Sequence, residues 1–187
     1  MLHLNFEPFP FLETARLRLR NVTTEDVEEI FFLRSDSRMM AFLDRTPAAS
    51  IDDALQFIQN INDQEKAGDA ITWSITLKET PKLIGTICFW NIQKAHYRAE
   101  IGYALRPDHQ GKGLMQEALN TVLPYGFQTL NLHSVEANVN PANAASIKLL
   151  ERSGFVREGF FRENYFYNGN FLDSAIYSLL APASKAL

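Results

Sequence analysis

Cysteine is nearly absent: Cys88 stands alone among 187 residues, so no internal disulfide can form. Long apolar runs are missing too, and nothing approaches the roughly 18 consecutive apolar residues of a membrane-spanning helix. The first residues lack a basic start and carry Glu7, Pro8 and Pro10, which excludes the pattern of a secretory signal. A cytoplasmic location with no membrane partner is therefore expected. There is no basic excess either: 18 Lys and Arg stand against 22 Asp and Glu, a net charge of −4. That balance argues against a protein that coats nucleic acid and is compatible with a cationic partner. The four histidines, His3, His96, His109 and His133, show no metal-ligand spacing, so no metal is expected. With only eight prolines and nine glycines, and no repeat, the chain falls outside the collagen-like and low-complexity classes.

What is present suits one core. A hydrophobic share of 46% over 187 residues predicts a single domain spanning 1–187. Residues 16–20 alternate Arg and Leu, the period of a strand with one wet face. Thr24, Glu25 and Asp26 precede the apolar set Val27, Ile30 and Phe31, which reads as a capped helix start. Ser50 and Asp53 form a capping-box pair before Leu55, Ile58 and Ile61, and Gly68 marks the stop. Strands follow at 71–77, 83–90 and 99–105, with Pro81 at the first turn, and their short connections favour antiparallel pairing. Cys88, inside an apolar run with no activating neighbour, reads as a packed thiol. A helical pattern covers 114–130, where Pro124 predicts a kink or break. A strand at 134–139 precedes a helix at 144–153 closed by Gly154. Asn168-Gly169 joins the last two strands as a type I′ turn. The order β-α-α-β-β-β-α-β-α-β-β predicts an α+β fold around one mixed, largely antiparallel sheet flanked by helices.

The sharpest local signal is Gln110-Gly111-Lys112-Gly113-Leu114-Met115, where a glycine-rich turn enters a helix. Unpaired N–H groups and the positive helix end there favour phosphate oxygens. No Lys-Ser or Lys-Thr pair follows, as a Walker A loop would demand. A dinucleotide fingerprint fails because Gln116 occupies the third glycine position and the preceding strands read as antiparallel.

In these residues the chain resembles the GNAT acyltransferase superfamily, whose pyrophosphate loop reads [QR]-x-x-G-x-[GA]. Met115 replaces the usual last small residue, as it often does in members of the RimJ/RimL type. The resemblance extends through the opening strand at residues 12–20, Ala99-Glu100-Ile101-Gly102-Tyr103, Asn140-Pro141-Ala142-Asn143, Ser153-Gly154-Phe155, and the closing hairpin with Glu158, Asn168-Gly169 and Asp173. It implies acetyl-CoA as donor, no metal, and a splay between two central strands. There the backbone of Tyr103, Ala104 and Leu105 would pair with the pantetheine arm and hold the thioester for attack. Gln110, Gly111, Lys112, Gly113, Leu114 and Met115 would hold the pyrophosphate, and Asn143 the pantetheine. Asn143 also reads as a plain helix cap.

Two proton roles remain. Glu100 is the candidate base for the attacking ammonium, with a structural carboxylate as the alternative. Many members supply an acid from a tyrosine seven residues after the asparagine, but Leu150 stands there. The resemblance to the RimJ/RimL type implies Ser146 as the acid, with a helix-surface or capping serine as the alternative. Phe160, Phe161, Tyr165, Phe166 and Tyr167 line either an acceptor pocket or the sheet core. The expected acceptor is a primary amine, foremost a protein N-terminal α-amine such as that of a ribosomal protein. A small amine, polyamine or amino acid is the alternative, as is a CoA-binding module without catalysis. A monomer or homodimer with no direct nucleic-acid contact is expected.

Overall fold

A computed structural model describes residues 1–182. The alternation at the first strand works as its period demands, with Leu17 and Leu19 fully buried and Arg18 exposed. These residues form β2 (Leu17–Asn21), paired with a two-residue β1 (Leu12–Glu13) and with β3 (Ile71–Leu77). β4 (Thr80–Gln93), β5 (Arg98–Leu105), β6 (Ser134–Val139), β7 (Val156–Tyr167) and β8 (Asn170–Leu180) complete one sheet. Its order is β1-β2-β3-β4-β5-β6-β8-β7, and every neighbouring pair is antiparallel except β5 with β6.

The helices are α1 (Val27–Ser35), a short α2 (Ser37–Met40), α3 (Ile51–Lys66), α4 (Leu114–Gln128) and α5 (Ala144–Arg152). α4 and α5 join the main core with Trp73, Ile87, Phe89 and Val135. α1 and α3 close a second core of Val22, Ile30, Leu33, Ala54, Ile58, Ile61 and Leu83. The Ser50–Asp53 capping box forms, with Ser50 N donating to Asp53 Oδ2 at 3.0 Å. The buried stripe of α3 is Ala54, Ile58 and Ile61, and the expected Leu55 lies outside it, exposed. Asn168 and Gly169 both take positive φ, +48° and +82°, as a type I′ turn requires.

Three local expectations are corrected. The first helical turn is capped by Thr23 rather than Thr24, and Thr23 N donates to Asp26 Oδ2 at 3.0 Å. Pro81 lies inside β4, and residues 78–79 make the turn, because Leu77 pairs with Thr80. Pro124 does not break α4, which is continuous to Gln128. Buried Ala118, Leu119, Val122, Leu123 and Gly126 anchor both halves of that helix. Asn120, whose carbonyl loses its usual donor, is exposed, so water can replace the missing N–H.

Candidate active site

The site begins where two strands part. β5 and β6 pair only at Arg98 with Ser134, Ala99 with Val135 and Glu100 with Glu136. Beyond Glu100, β5 continues against β4 as far as Leu105 opposite Gly85, while β6 stays with β8 up to Val139 opposite Ala175. The edge of residues 101–105 that faces β6 is thus left unpaired, a splay with Glu100 at its apex. Unpaired strand edges seek partners, and this one includes Tyr103, Ala104 and Leu105.

The chain then enters the glycine turn, which is braced from several sides. Arg106 N donates to Ile84 O at 2.9 Å, and Gln110 Nε2 donates to Leu105 O at 2.8 Å. Lys112 Nζ donates to Asp108 O at 2.7 Å. Arg16 donates to Lys112 O at 3.0 Å and pairs with Glu117 at 2.6 Å. Gly111 and Gly113 adopt φ of +73° and +74°, a conformation that side chains resist. The first helical bond is Glu117 N to Gly113 O. Among the described residues, none accepts a bond from the backbone N–H of residues 111–116. A Cβ built at Gly111 would meet nothing within 4 Å. Six N–H groups without a partner among the described residues, at the start of a 15-residue helix, fit an anion such as a pyrophosphate.

This geometry divides the roles of the expected loop residues. The side chains of Gln110 and Lys112 brace the turn, and those of Leu114 and Met115 are buried in the core. What the stretch from Gly111 to Met115 leaves without a partner among the described residues is backbone N–H. Across the splay, Asn143 caps α5, its Oδ1 accepting from Ser146 N at 3.1 Å. Its Nδ2 has no partner among the described residues and stays available to a ligand. Leu150, at the position where a tyrosine acid would stand, is fully buried.

Glu100 has an unusual carboxyl. Burial pushes its pKa up from 4.5 to about 7, and the charge of Glu136 adds to the rise. Asn91, the backbone of Asn138 and the charge of Arg98 act the other way. Glu136 itself pairs with Arg98. By strand register, Trp90, Gly102, Phe161 and Tyr165 share the sheet face of Glu100. Gly102 leaves room for the Trp90 indole, whose Nε1 lies 3.5 Å from where a Cβ would stand. The aromatics of β7 are surface residues and not sheet core: Phe161 is 52% exposed and Tyr165 43%. Tyr165 and Tyr167 donate to the carbonyls of Asp44 and Arg45, tying the hairpin to the loop after α2. Cys88 is a half-buried thiol that desolvation pushes up to about 11, unsuited to nucleophilic work at neutral pH.

Sequence reasoning missed the Arg16–Glu117 brace, the Trp90 wall and a contact between Tyr103 and Ser146. All three join residues that are distant in the chain or paired across strands, so no local pattern marks them. No helix among the described residues is long and apolar enough to cross a membrane.

Comparison with known proteins agrees with this geometry. Residues 16–156 match the acetyltransferase (GNAT) domain family. The uncharacterized N-acetyltransferase p20 of Bacillus licheniformis is 40% identical over 169 residues, covering 90% of this chain and 95% of its own. The ribosomal-protein-S5-alanine acetyltransferase of Vibrio fischeri superposes with a TM-score of 0.83 at 26% identity, covering 95% of this chain and all of that one. The spermidine N-acetyltransferase of Vibrio cholerae, solved with CoA and spermine, gives 0.80 at 28% identity, with 90% and 97% covered. A strand splay beside a glycine turn of free N–H groups, in a chain that matches this domain over most of its length, leads to one conclusion: the protein belongs to the GNAT acetyltransferase family and is an N-acetyltransferase with acetyl-CoA as donor.

Proposed function

We propose that the enzyme acetylates the N-terminal α-amine of a protein, foremost a ribosomal protein. The observation that supports this reading is the character of the Glu100 face. Glu100 forms no salt bridge among the described residues, whereas Glu136 is tied to Arg98. Trp90, Phe161 and Tyr165 stand exposed on the same face. An acid without a salt bridge, on a sheet face that also carries exposed aromatic rings, suits an amine followed by a peptide chain.

In this reading the N–H groups of residues 111–115 hold the pyrophosphate, and the open edge at Tyr103, Ala104 and Leu105 aligns the pantetheine arm. Asn143 Nδ2 supplies one more donor to that arm. Glu100, with a carboxyl near 7, takes the proton that the acceptor ammonium must lose before attack. Ser146 donates to the departing thiolate, since Leu150 has no proton to give. A second reading, transfer to a polyamine, draws on the likeness to the enzyme of Vibrio cholerae solved with spermine.

The test is an acetyl-CoA consumption screen over peptides with Ala, Ser or Met N-termini, spermidine, and free amino acids. The expected result is a kcat/KM for the best peptide at least about tenfold above spermidine, a difference of about 1.4 kcal/mol in transition-state binding. A preference for spermidine would replace the first reading with the second.

A further inference from the structure

Tyr103 lies on the open half of β5, past the point where β6 leaves it. Its side chain packs against the main core, and its hydroxyl meets Ser146 Oγ at 2.7 Å. Ser146 sits in the first turn of α5, the helix that follows β6. The pair therefore bridges from one side of the splay to the element entered from the other side.

Counting protons gives this contact a direction. Two hydroxyls carry two protons, and their mutual bond uses one of them. A phenol is the stronger acid and an aliphatic hydroxyl the better acceptor, so Tyr103 donates and Ser146 accepts. Ser146 then keeps one O–H, and among the described residues no acceptor takes it; it makes no bond back to the carbonyl of Ala142, where a helical serine would often turn. The spare proton is left for a third group.

We propose that Tyr103 is a positioning residue that orients the Ser146 hydroxyl toward the departing thiolate and resupplies its proton. This rests on the role given to Ser146 above. The amine nitrogen bonds to the carbonyl carbon, and the C–S bond breaks with its electron pair on sulfur. The Ser146 Oγ proton passes to that sulfur, giving the thiol, while the Tyr103 proton moves to Ser146 Oγ. Water reprotonates the phenolate afterwards, and Glu100 carries away the proton lost by the amine.

Without Tyr103, Ser146 would be left as an alkoxide, a base comparable to hydroxide and far stronger than the departing thiolate. Burial pushes Tyr103 up to about 12. That value is closer to a thiol's, about 8.5, and still keeps the phenol protonated at neutral pH. The phenol that other family members draw from the helix is thus delivered here from the strand.

The experiment compares Tyr103→Phe, Ser146→Ala and the double variant on the full chain, using the amine that the wild type acetylates fastest. Tyr103→Phe should lower kcat about 10- to 100-fold, at the weak end of general acid–base effects, with the KM for acetyl-CoA within about twofold. The double variant should be no slower than Ser146→Ala alone, because Tyr103 acts through Ser146. The solvent deuterium effect on kcat should shrink in Tyr103→Phe, which a packing defect would not produce. Thermal melts of all three variants, expected within a few degrees of the wild type, serve as the control for folding. Near wild-type kcat in Tyr103→Phe beside an impaired Ser146→Ala would overturn the inference, as would fully multiplicative losses in the double variant. Near wild-type kcat in Ser146→Ala would overturn the role of Ser146 and this inference with it. None of these outcomes would bear on which amine is the acceptor.

Discussion

Glu100→Gln should move activity and stability in opposite directions. The carboxyl is held at about 7 in the folded protein, mainly by burial, against an ordinary value of 4.5. The folded state therefore binds this proton more tightly than the unfolded chain does. The stabilisation linked to that proton is complete below about pH 4.5 and is lost as pH rises through about 7. At about 1.4 kcal/mol per pH unit the ceiling is about 3 kcal/mol, and partial solvent access reduces it to about 1–2 kcal/mol. Glutamine never ionises, so at pH 8 the variant should melt a few degrees above the wild type, given about 2–4 °C per kcal/mol for a chain of this size. At pH 4.5 the two should coincide. Turnover should go the other way, falling about 10²- to 10⁴-fold at pH 7. The wild-type kcat should rise with pH through an inflection near 7 as Glu100 loses its proton. The variant should lack that inflection, and its deficit should narrow at high pH where the amine arrives neutral. Thermal melts at both pH values and a kcat profile from pH 5.5 to 9 check the whole chain of reasoning. A variant less stable than the wild type at pH 8 would show that the carboxylate is a favourable structural charge, and near wild-type turnover would remove it as the base.

Acetyl-CoA at about 100 times its Kd should stabilise the fold by about 2.7 kcal/mol, and Gly113→Asp should abolish the melting shift by setting a carboxylate among the free N–H groups. An unchanged shift in that variant would refute the anion site at the turn. Gly126→Ala should destabilise by about 1–3 kcal/mol, because a Cβ there would stand 2.6 Å from Phe89 Cζ and 3.2 Å from Leu132 Cδ1. A chemical denaturation midpoint equal to the wild type would show that this part of the core gives way more readily than packed side chains do.

Much of this protein was legible in the order of its residues, because the determinants are local. The strand alternation of Leu17 and Leu19, the Ser50–Asp53 cap and the Asn168-Gly169 turn each act within a few residues. So do the glycines at 111 and 113, which take positive φ just before a helix, as a tight turn into α4 requires. Proline was harder to read. Pro124 lacks an N–H whatever surrounds it, but buried side chains on both sides hold α4 together through it, and that is a property of the core.

The chemistry beyond the loop was decided in three dimensions. Nothing near Glu100 in sequence raises its carboxyl: the cause is burial on β5 and the charge of Glu136, a residue 36 positions later brought alongside by parallel pairing. Tyr103 and Ser146 are 43 residues apart and meet where the open half of β5 lies beside the start of α5. Local sequence sets dihedral preferences, caps and turns, which act over a few ångströms of chain. Desolvation, charge coupling and hydroxyl pairing act through space, so only the folded sheet could settle them.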